Sequence, residues 1–524
     1  MPDPIEIGSS EPCTGGRHHL PGRNPQAVAR CKYEGLLLSL RTFFAAVFAM
    51  NYMKPFGLYG SDPRLLIGVV TLLFVPGLPA KEDQAHFGRF GTVHLYSQSE
   101  RPSRVALFVS GDGGWNMGVV DMARELASLD ALVVGIDMRT YMKALAAATE
   151  SCLYPASDFE ALSKFVQKKL DYPSYMAPVL VGYSSGATLV YATLVQAPSN
   201  TFLGAISMGF CPDLPLTKPM CRGSGLAWQP GPKGKGYSFL PANTLEVPWV
   251  ALQGAVDQVC DPGTTQDYVR KVPQGELLLL PKVGHGFSVP RNWMPQFRDA
   301  FTRMTASARK PFAQAPAEAV GDLPLIEVPA PGSQSNTLAV IVTGDGGWGV
   351  TDRGIAASLA AHGIPTIGLN SLHYFWAAKT PDQAARDLSR ILLHYLETLK
   401  KERAVLIGYS LGAEVLPFMI NRLPADLHSR IKLAVLIGLG SKVEFEFHLR
   451  DWFGPLARSG SLPVRPEVEK LKGLRILCFY GREDSDALCP QLDPALARSL
   501  ELEGGHRVGR GFERIVESIL MELK

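Results

Sequence analysis

The sequence has few of the features that mark disulfide-rich, metal-binding or nucleic-acid-binding proteins. Only eight of its 524 residues are cysteine, which is too few for a disulfide scaffold, and none has the paired spacing of a zinc site. The net charge of +3 is close to balance, so the composition does not indicate a nucleic-acid partner. We find no metal-binding motif and no feature that implies a cofactor. The length predicts more than one globular domain.

The apolar run near the N-terminus is short. It covers residues 65–75, whereas a helix that spans a membrane needs about 20 apolar residues. Lys54 and Arg64 precede the run, and small residues and then a charged segment follow it, an order typical of a secretory signal. We therefore predict export, with a leader over residues 1–84 and a signal-peptide-like segment at about 53–80. An uncleaved anchor and a buried core helix are the alternatives.

Export would change how the cysteines are interpreted, because disulfides form in oxidising compartments. Four cysteines in the first half of the chain can pair in three ways, and the sequence leaves the choice open: Cys152, Cys211, Cys221 and Cys260. Cys478 is interpreted as a buried strand residue, with Cys489 near it.

Two stretches of the chain repeat one another, residues 91–304 and residues 323–524. Each begins with an apolar run that ends in Gly-Asp-Gly-Gly-Trp, at 111–115 and at 344–348. Short β-rich runs then alternate with longer amphipathic helical stretches, which predicts βαβ units around a mostly parallel sheet. The predicted fold is a tandem duplication of an α/β-hydrolase-like domain. The predicted parts are the leader (1–84), a first domain (85–305), an Ala- and Pro-rich linker (306–322) and a second domain (323–524).

Each repeat also contains a serine within Gly-x-Ser-x-Gly. In the second repeat, Gly408-Tyr-Ser410-Leu-Gly412 stands between an apolar run and a helix-like segment. Strand, sharp turn and helix lift the serine hydroxyl clear of the strand, and glycines are needed where the two backbones approach. The first repeat has Ser184 in the same setting. The duplication makes a motif that is weak by itself a strong prediction of a nucleophile.

A serine nucleophile needs a base and an orienting carboxylate, which follow it in this fold in the order acid, histidine. In the second repeat, His506 follows a strand and two glycines and is the predicted base for Ser410. The acid is either Asp486 or Asp484. We predict Asp486, because Asp486-Ala-Leu-Cys aligns with Asp257-Gln-Val-Cys of the first repeat. The corresponding triad of the first repeat is Ser184, Asp257 and His285.

The Gly-Asp-Gly-Gly-Trp loop is the predicted second half of an oxyanion hole. The N–H of Leu411, next to the serine, is the first predicted donor, and the bare backbones of Gly346 and Gly347 are the second. The alternative is a tight turn that packs Trp348 on the core. That alternative does not exclude the catalytic one.

These motifs resemble those of a known family. The repeated Gly-Asp-Gly-Gly-Trp, the stretch at 408–418 and Leu-Cys-Pro at 488–490 are similar to the AcvB/VirJ family of bacterial virulence proteins, with the two-copy layout of AcvB. The resemblance implies an exported envelope protein of α/β-hydrolase fold. It also implies a serine esterase that releases the amino acid from lysyl- or alanyl-phosphatidylglycerol, with the activity in the second copy. The triad would then be Ser410, Asp486 and His506.

The resemblance also implies where the protein acts and what it meets there. The expected location is the periplasm, either free or associated with the inner membrane, and the expected substrate is an aminoacylated phospholipid. Glu414, one turn past the serine, is the candidate partner for the substrate ammonium; a solvated helix-face carboxylate is the alternative. Another envelope esterase or lipase, and a non-catalytic adaptor of type IV secretion, remain rival functions. The sequence leaves three roles open for the first copy: a second active site, a lipid-binding platform or a substrate-holding domain.

Overall fold

The apolar runs of the first repeat form an eight-stranded sheet. Neighbouring strands are parallel, except that Gly91–Ser97 pairs antiparallel with both of its neighbours. In spatial order the strands are Lys81–Phe87, Gly91–Ser97, Ala131–Ile136, Arg104–Val109, Val179–Tyr183, Gly204–Met208, Trp249–Gly254 and Gly275–Leu280.

The second repeat forms a seven-stranded sheet with the same order of crossovers. Only its edge strand Leu325–Val328 pairs antiparallel with its neighbour. In spatial order the strands are Leu325–Val328, Thr366–Leu369, Thr337–Val342, Arg403–Tyr409, Ile431–Ile437, Ile476–Gly481 and Arg498–Leu502. The α/β fold class and the duplication predicted from the sequence are confirmed.

Helices cover both faces of each sheet. The central strands are therefore buried on both sides, which is why they are almost continuously apolar in the sequence. The helices of the first repeat are Met117–Ser128, Met138–Ala146, Pro155–Lys169, Ser185–Gln196, Pro262–Val269 and Met294–Ala306. Those of the second are Val350–Ala361, Ser371–Tyr374, Pro381–Thr398, Leu411–Ile420, Ala425–Arg430, Arg465–Glu469 and Phe512–Leu523.

The computed structural model describes residues 81–306, 320–332, 335–446, 461–506 and 512–524. The predicted signal segment and most of the predicted linker lie outside the described residues. The domain boundaries stay predictions, and strand Lys81–Phe87 runs across the one placed at 85. Within the described ranges, no helix is both long and apolar enough to cross a membrane.

Strand order fixes where a ligand can bind. Thr337–Val342 lies between Thr366–Leu369 on one side and Arg403–Tyr409 on the other, so successive crossovers leave it in opposite directions. In open α/β sheets the binding crevice lies at the carboxyl ends of the strands at such a switch point. Both serine turns follow the strand next to this point.

The six cysteines among the described residues form three disulfides, two in the first repeat and one in the second. The pairs are Cys152–Cys221, Cys211–Cys260 and Cys478–Cys489. The structure therefore selects one of the three pairings that the sequence left open. The second of these bonds joins the loop after Gly204–Met208 to the loop that follows Trp249–Gly254, and so it lies at the carboxyl edge of the first sheet.

The two repeats contact each other around Trp376. This side chain is 2% exposed and packs in an apolar cluster with Tyr175 and Leu372. Its indole N–H donates to the Tyr172 carbonyl at 2.8 Å. Lys168 donates to the Trp376 carbonyl and places its ammonium 5.0 Å from the ring centroid. A buried tryptophan with a satisfied N–H is a strong contact between the two repeats.

We predict that Trp376→Ala uncouples the unfolding of the two repeats. Removing a buried aromatic side chain costs about 3–5 kcal/mol, and here that loss falls on the contact between the repeats. Calorimetry should show one transition for the wild type and two for the variant. Trp293→Ala is the matched control, because Trp293 is equally buried but packs within the first repeat. A single transition in Trp376→Ala would contradict the prediction.

Candidate active site

Both serines occupy the strained backbone conformation of a sharp strand-to-helix turn. Ser184 has φ 57° and ψ −123°, and Ser410 has φ 52° and ψ −119°. A Cβ on Gly186 or Gly412 would collide with carbonyl oxygens at the end of the neighbouring strand, Arg104–Val109 or Thr337–Val342. The glycines therefore allow the helix to start directly against that strand, and the serine is held at the apex.

In the second repeat the structure brings Ser410 and His506 together. Ser410 Oγ lies 2.8 Å from His506 Nε2. The opposite ring nitrogen, Nδ1, lies 2.9 Å from Oδ2 of Asp484. The carboxylate is mostly buried, whereas the imidazole side chain is 45% exposed. This is a complete Ser-His-Asp arrangement with an open approach to its histidine.

The preferred acid, Asp486, is corrected to Asp484, the alternative. Asp484 stands three residues after Gly481 and donates its N–H to the Gly481 carbonyl at 3.0 Å; Asp257 relates to Gly254 in the same way, at 3.3 Å. The Asp-x-x-Cys alignment failed because the second loop has two more residues before its cysteine. The Asp486 carboxylate is exposed, but its backbone N–H donates to Asp484 Oδ1 at 3.2 Å.

The first repeat contains the same arrangement in a more buried form. Ser184 Oγ lies 2.9 Å from His285 Nε2, and His285 Nδ1 lies 2.9 Å from Asp257 Oδ2. The imidazole side chain is 17% exposed and the Asp257 side chain has no exposed surface. The residues predicted for the first repeat are thus brought together.

Asp257 is held by several donors besides the histidine. The N–H groups of Val259 and Cys260 donate to Oδ1 at 2.8 and 3.0 Å, and the Gln253 amide donates to Oδ2 at 3.0 Å. Burial alone would raise the pKa of Asp257, but the Cys260 N–H, His285 and the Val259 N–H outweigh it and lower the pKa. The carboxylate therefore stays ionised beside the imidazole.

Sequence reasoning missed Gln253. Its side chain is fully buried at the end of strand Trp249–Gly254, where it also donates to the Cys260 carbonyl at 2.9 Å and accepts the Phe210 N–H at 3.1 Å. A lone amide in an otherwise apolar strand was the available signal, because a buried amide needs partners. Tyr480 occupies the corresponding place in the second repeat, one residue before Gly481.

Asp257, His285 and Cys260 also lie close enough to resemble a metal site, since one ligand atom from each falls within 4.8 Å of the others. The chemistry of the set does not fit a metal. A cysteine binds metal as a thiolate, and the Cys260 sulfur is already bonded to Cys211. The histidine and the carboxylate face each other as in a triad.

The Gly-Asp-Gly-Gly-Trp loops lie beside the serines, with one correction to the predicted donors. Gly344 approaches the Ser410 side chain closely, so that a Cβ on it would stand 3.4 Å from the serine Cβ. The Gly347 N–H donates to the Gly344 carbonyl at 3.0 Å and closes the turn. This N–H is therefore already used, and the prediction that Gly347 donates to the oxyanion is wrong. Gly346 lies outside that hydrogen bond. Leu411 is the first residue of its helix, where an N–H has no intrahelical acceptor.

The short helix Ser371–Tyr374 anchors the start of the loop in the second repeat. Thr343 Oγ1 accepts the Ser371 N–H at 2.9 Å, and Ser371 Oγ donates to the Thr343 carbonyl at 2.6 Å. Trp348 lies flat against Gly368, where any Cβ would enter its ring. The tight turn that packs a tryptophan on the core is therefore present beside the serine.

The two sites differ on one wall. In the second repeat, Gly440 leaves room for the Glu414 carboxylate, which a Cβ at that position would strike, and the Asp486 carboxylate lies nearby, 3.6 Å from the same point. Ser441 donates to Asp486 at 3.4 Å. This wall, formed by Glu414, Gly440, Ser441 and Asp486, is called the acidic wall below.

In the first repeat the same wall carries no carboxylate. Cys211 replaces Gly440, as both stand two residues after the glycine that ends the neighbouring strand. Its sulfur is bonded to Cys260. Thr188 replaces Glu414 and donates to the Cys211 carbonyl at 2.5 Å. A disulfide and a satisfied hydroxyl therefore stand where the second repeat has its acidic wall.

A buried carboxylate lies behind the second loop. Asp352 Oδ2 accepts the Gly349 N–H at 2.9 Å, and Oδ1 has no hydrogen-bond partner among the described residues. Burial raises the pKa of Asp352 to about 6, although the Gly349 N–H acts in the opposite direction. Val119 stands at this position in the first repeat. Of the two repeats, only the second thus has an acid at this place.

Comparison with known proteins identifies a family and finds similar folds among proteins of low sequence identity. A family model described as bacterial virulence protein (VirJ) matches residues 103–204 and 336–524, together more than half of the chain. No curated protein matches the chain.

Several solved structures with similar folds align to less than half of this chain. The esterase domain of a Rhodothermus marinus protein is 14% identical with a TM-score of 0.30, over 43% of this chain and 98% of its own. An α/β serine hydrolase without a lid from Xanthomonas campestris is 19% identical with a TM-score of 0.29, over 44% and 94%. Dienelactone hydrolase from Anabaena variabilis is 15% identical with a TM-score of 0.32, over 44% and 99%. Likeness at this level carries no argument about function.

We predict that Asp484 and Asp486 respond differently to loss of charge. In a Ser184→Ala background, Asp484→Asn should lower kcat for p-nitrophenyl hexanoate by about 10³–10⁴-fold, because the imidazole loses its orienting carboxylate. Asp486→Asn is the matched control and should change the same kcat by less than about tenfold, because its side chain does not contact the imidazole. The reverse ranking would restore Asp486 as the acid.

We predict that Asp352 makes stability depend on pH. Its pKa is about 6 when folded and near 3.8 when unfolded, so folding takes up a proton between these values and stability falls as pH rises through that window. Relative to wild type, Asp352→Asn should gain up to about 3 kcal/mol of unfolding free energy between pH 4 and pH 7. Urea unfolding at both pH values measures this. The exposed carboxylate of Asp426 gives the matched control Asp426→Asn, and an equal gain there would contradict the role of burial.

Proposed function

The chain belongs to the family of the bacterial virulence protein VirJ, and from this premise and its serine sites we propose that it is a serine esterase. The proposed substrate of the second repeat is an aminoacylated phospholipid, lysyl- or alanyl-phosphatidylglycerol. The products are phosphatidylglycerol and the free amino acid. The observation that carries the esterase is the contact chain from Ser410 through His506 to Asp484.

The reaction follows from that contact chain. Ser410 Oγ attacks the ester carbonyl carbon while His506 Nε2 takes the hydroxyl proton, and Asp484 stabilises the resulting imidazolium. Leu411 N–H and the loop at Gly346 donate to the oxygen that becomes negative. His506 then gives the proton to the departing glycerol oxygen, and an acyl-serine remains. Water then attacks the acyl carbon while His506 takes its proton, and His506 returns that proton to the Ser410 oxygen as the amino acid leaves.

The acidic wall supports the proposed substrate class. An aminoacyl ester carries an ammonium group near its carbonyl carbon, and carboxylates are the side chains that pair with it. Glu414 lies one helical turn past Ser410, and the carboxylates of Glu414 and Asp486 both lie near the point that a Cβ on Gly440 would occupy. A substrate whose carbonyl is held at Ser410 can therefore direct its ammonium to this wall.

An envelope location is part of the proposal. Three disulfides in the described residues support an oxidising compartment, which for a bacterial chain is the periplasm. Free protein and protein held at the inner membrane both give access to phospholipid headgroups. The family resemblance also implies a second role in the envelope, contact with secretion-system proteins. The serine site gives no support for that role.

We predict that Ser410→Ala abolishes hydrolysis of lysyl- and alanyl-phosphatidylglycerol presented in detergent micelles. The loss should be at least about 10³-fold, because the nucleophile is removed. The released amino acid is quantified by mass spectrometry. Ser184→Ala is the matched control and should retain the activity. An unchanged rate in Ser410→Ala would sink the proposal and leave an adaptor or another esterase.

The substrate class has its own control in the same assay. In a Ser184→Ala background, Glu414→Gln should raise KM for lysyl-phosphatidylglycerol about tenfold, which corresponds to about 1.4 kcal/mol, and leave kcat on an uncharged ester unchanged. Equal losses on both substrates would mean that Glu414 supports the fold rather than the ammonium.

A further inference from the structure

We propose that the first repeat is a second hydrolase site, built on Ser184, His285 and Asp257, that cleaves esters whose acyl group carries no positive charge. This activity is separate from the one proposed for Ser410 and does not depend on it. Three features of the first repeat carry the inference: the firmly held side chains of its triad, an open cleft beside the serine, and the chemistry of the wall beside the histidine.

The triad of the first repeat is held more firmly than that of the second. Asp257 accepts hydrogen bonds from Gln253, Val259 and Cys260 in addition to its contact with His285. Among the residues that the structure describes in the second repeat, the Asp484 carboxylate contacts His506 and accepts the Asp486 N–H. Fixed side chains need little rearrangement at the moment of reaction, so the first site is prepared for catalysis.

The histidine of the first repeat is also held by the residue before the serine. Tyr183 Oη donates to the His285 carbonyl at 3.0 Å, and the two rings lie 5.9 Å apart between centroids. Strand Val179–Tyr183 thus fixes both the nucleophile and its base.

A cleft gives access to Ser184. It has a volume of about 310 Å³ and is lined by Val119, Met122 and Tyr183 together with Ser184 and the glycine loop. That volume is at the small end of the range for ligand pockets. Asp112 also borders the cleft, but it is exposed and has a counterpart, Asp345, in the second repeat, so it does not distinguish the two sites.

The wall beside His285, which the Cys211–Cys260 disulfide reaches, decides what the site accepts. Where the second repeat has its acidic wall, the first has the Cys211–Cys260 disulfide and Thr188, whose hydroxyl is already bonded to the Cys211 carbonyl. An ammonium there would leave water and find no carboxylate to replace it, which is costly. A short uncharged acyl chain loses nothing at this wall, and the cleft beside Ser184 has the apolar side chains of Val119 and Met122 in its lining.

The proposed step uses water as its only co-reactant. Ser184 Oγ bonds to the acyl carbon as His285 takes its proton, and the bond to the alcohol oxygen breaks as His285 returns that proton to the alcohol. Water then adds to the acyl carbon with His285 as base. The serine leaves with the proton, and a carboxylic acid is released.

The experiment compares two esters that differ only in a terminal ammonium, p-nitrophenyl hexanoate and p-nitrophenyl 6-aminohexanoate. With Ser410→Ala protein we expect hexanoate hydrolysis at least about 10²-fold above the Ser184→Ala/Ser410→Ala double variant. We also expect kcat/KM at least about tenfold lower for the aminohexanoate. A fluorophosphonate probe should label Ser184 in Ser410→Ala protein, identified by peptide mass spectrometry.

Two results would overturn the inference. Ser410→Ala protein that neither takes the probe at Ser184 nor exceeds the double variant would show that the site is inactive. Equal kcat/KM values for the two esters would show that the wall does not select by charge. Folding of the double variant is checked by its thermal transition. Failure of the function proposed for Ser410 is read from Ser184→Ala protein and lysyl-phosphatidylglycerol, so the two failures remain distinguishable.

Discussion

The structure depends on the close backbone contact at each serine turn. Gly186 and Gly412 rest against the carbonyl oxygens that end the first parallel strand of their repeat, and a single methyl group would separate the two. The loop just before each histidine also passes close to a glycine, Gly254 in the first repeat and Gly481 in the second. A Cβ on either glycine would strike the backbone of that loop. These contacts bring the nucleophile, the glycine loop and the base to one edge of the sheet.

Within that shared frame, the repeats have diverged on one wall. The backbone is the same in both, since each has a glycine of positive φ directly after the neighbouring strand, Gly209 or Gly438. The side chains that follow differ in charge and in covalent state. The first repeat has a cross-link there, which also stiffens the loop of its acid, and the second has two carboxylates. The positions concerned are Thr188, Cys211 and Cys260 in the first repeat and Glu414, Gly440 and Asp486 in the second.

The sequence predicted the fold class, the duplication and the placement of both serines and both histidines, because each depends on local signals. An apolar run followed by glycine marks a strand end, whatever the rest of the chain does. The acid of the second repeat was missed because its place is fixed by distance from the end of a strand, while the alignment followed a cysteine two residues out of step. Gly347 was misjudged because a glycine loop shows its donors but not which of them the turn itself uses. Gln253 belongs to no sequence motif, and the partners of its buried amide are seen only in the folded structure.

The contact at Trp376 has a consequence for chains built from one repeat. The helix Ser371–Tyr374 fastens the glycine loop of the second site on one side, and just beyond it Trp376 meets the first repeat. A protein consisting of the second repeat alone would expose this indole and Leu372 to water as an apolar surface patch. Such a chain would need a polar replacement there, or a companion to shield it, in order to stay dispersed.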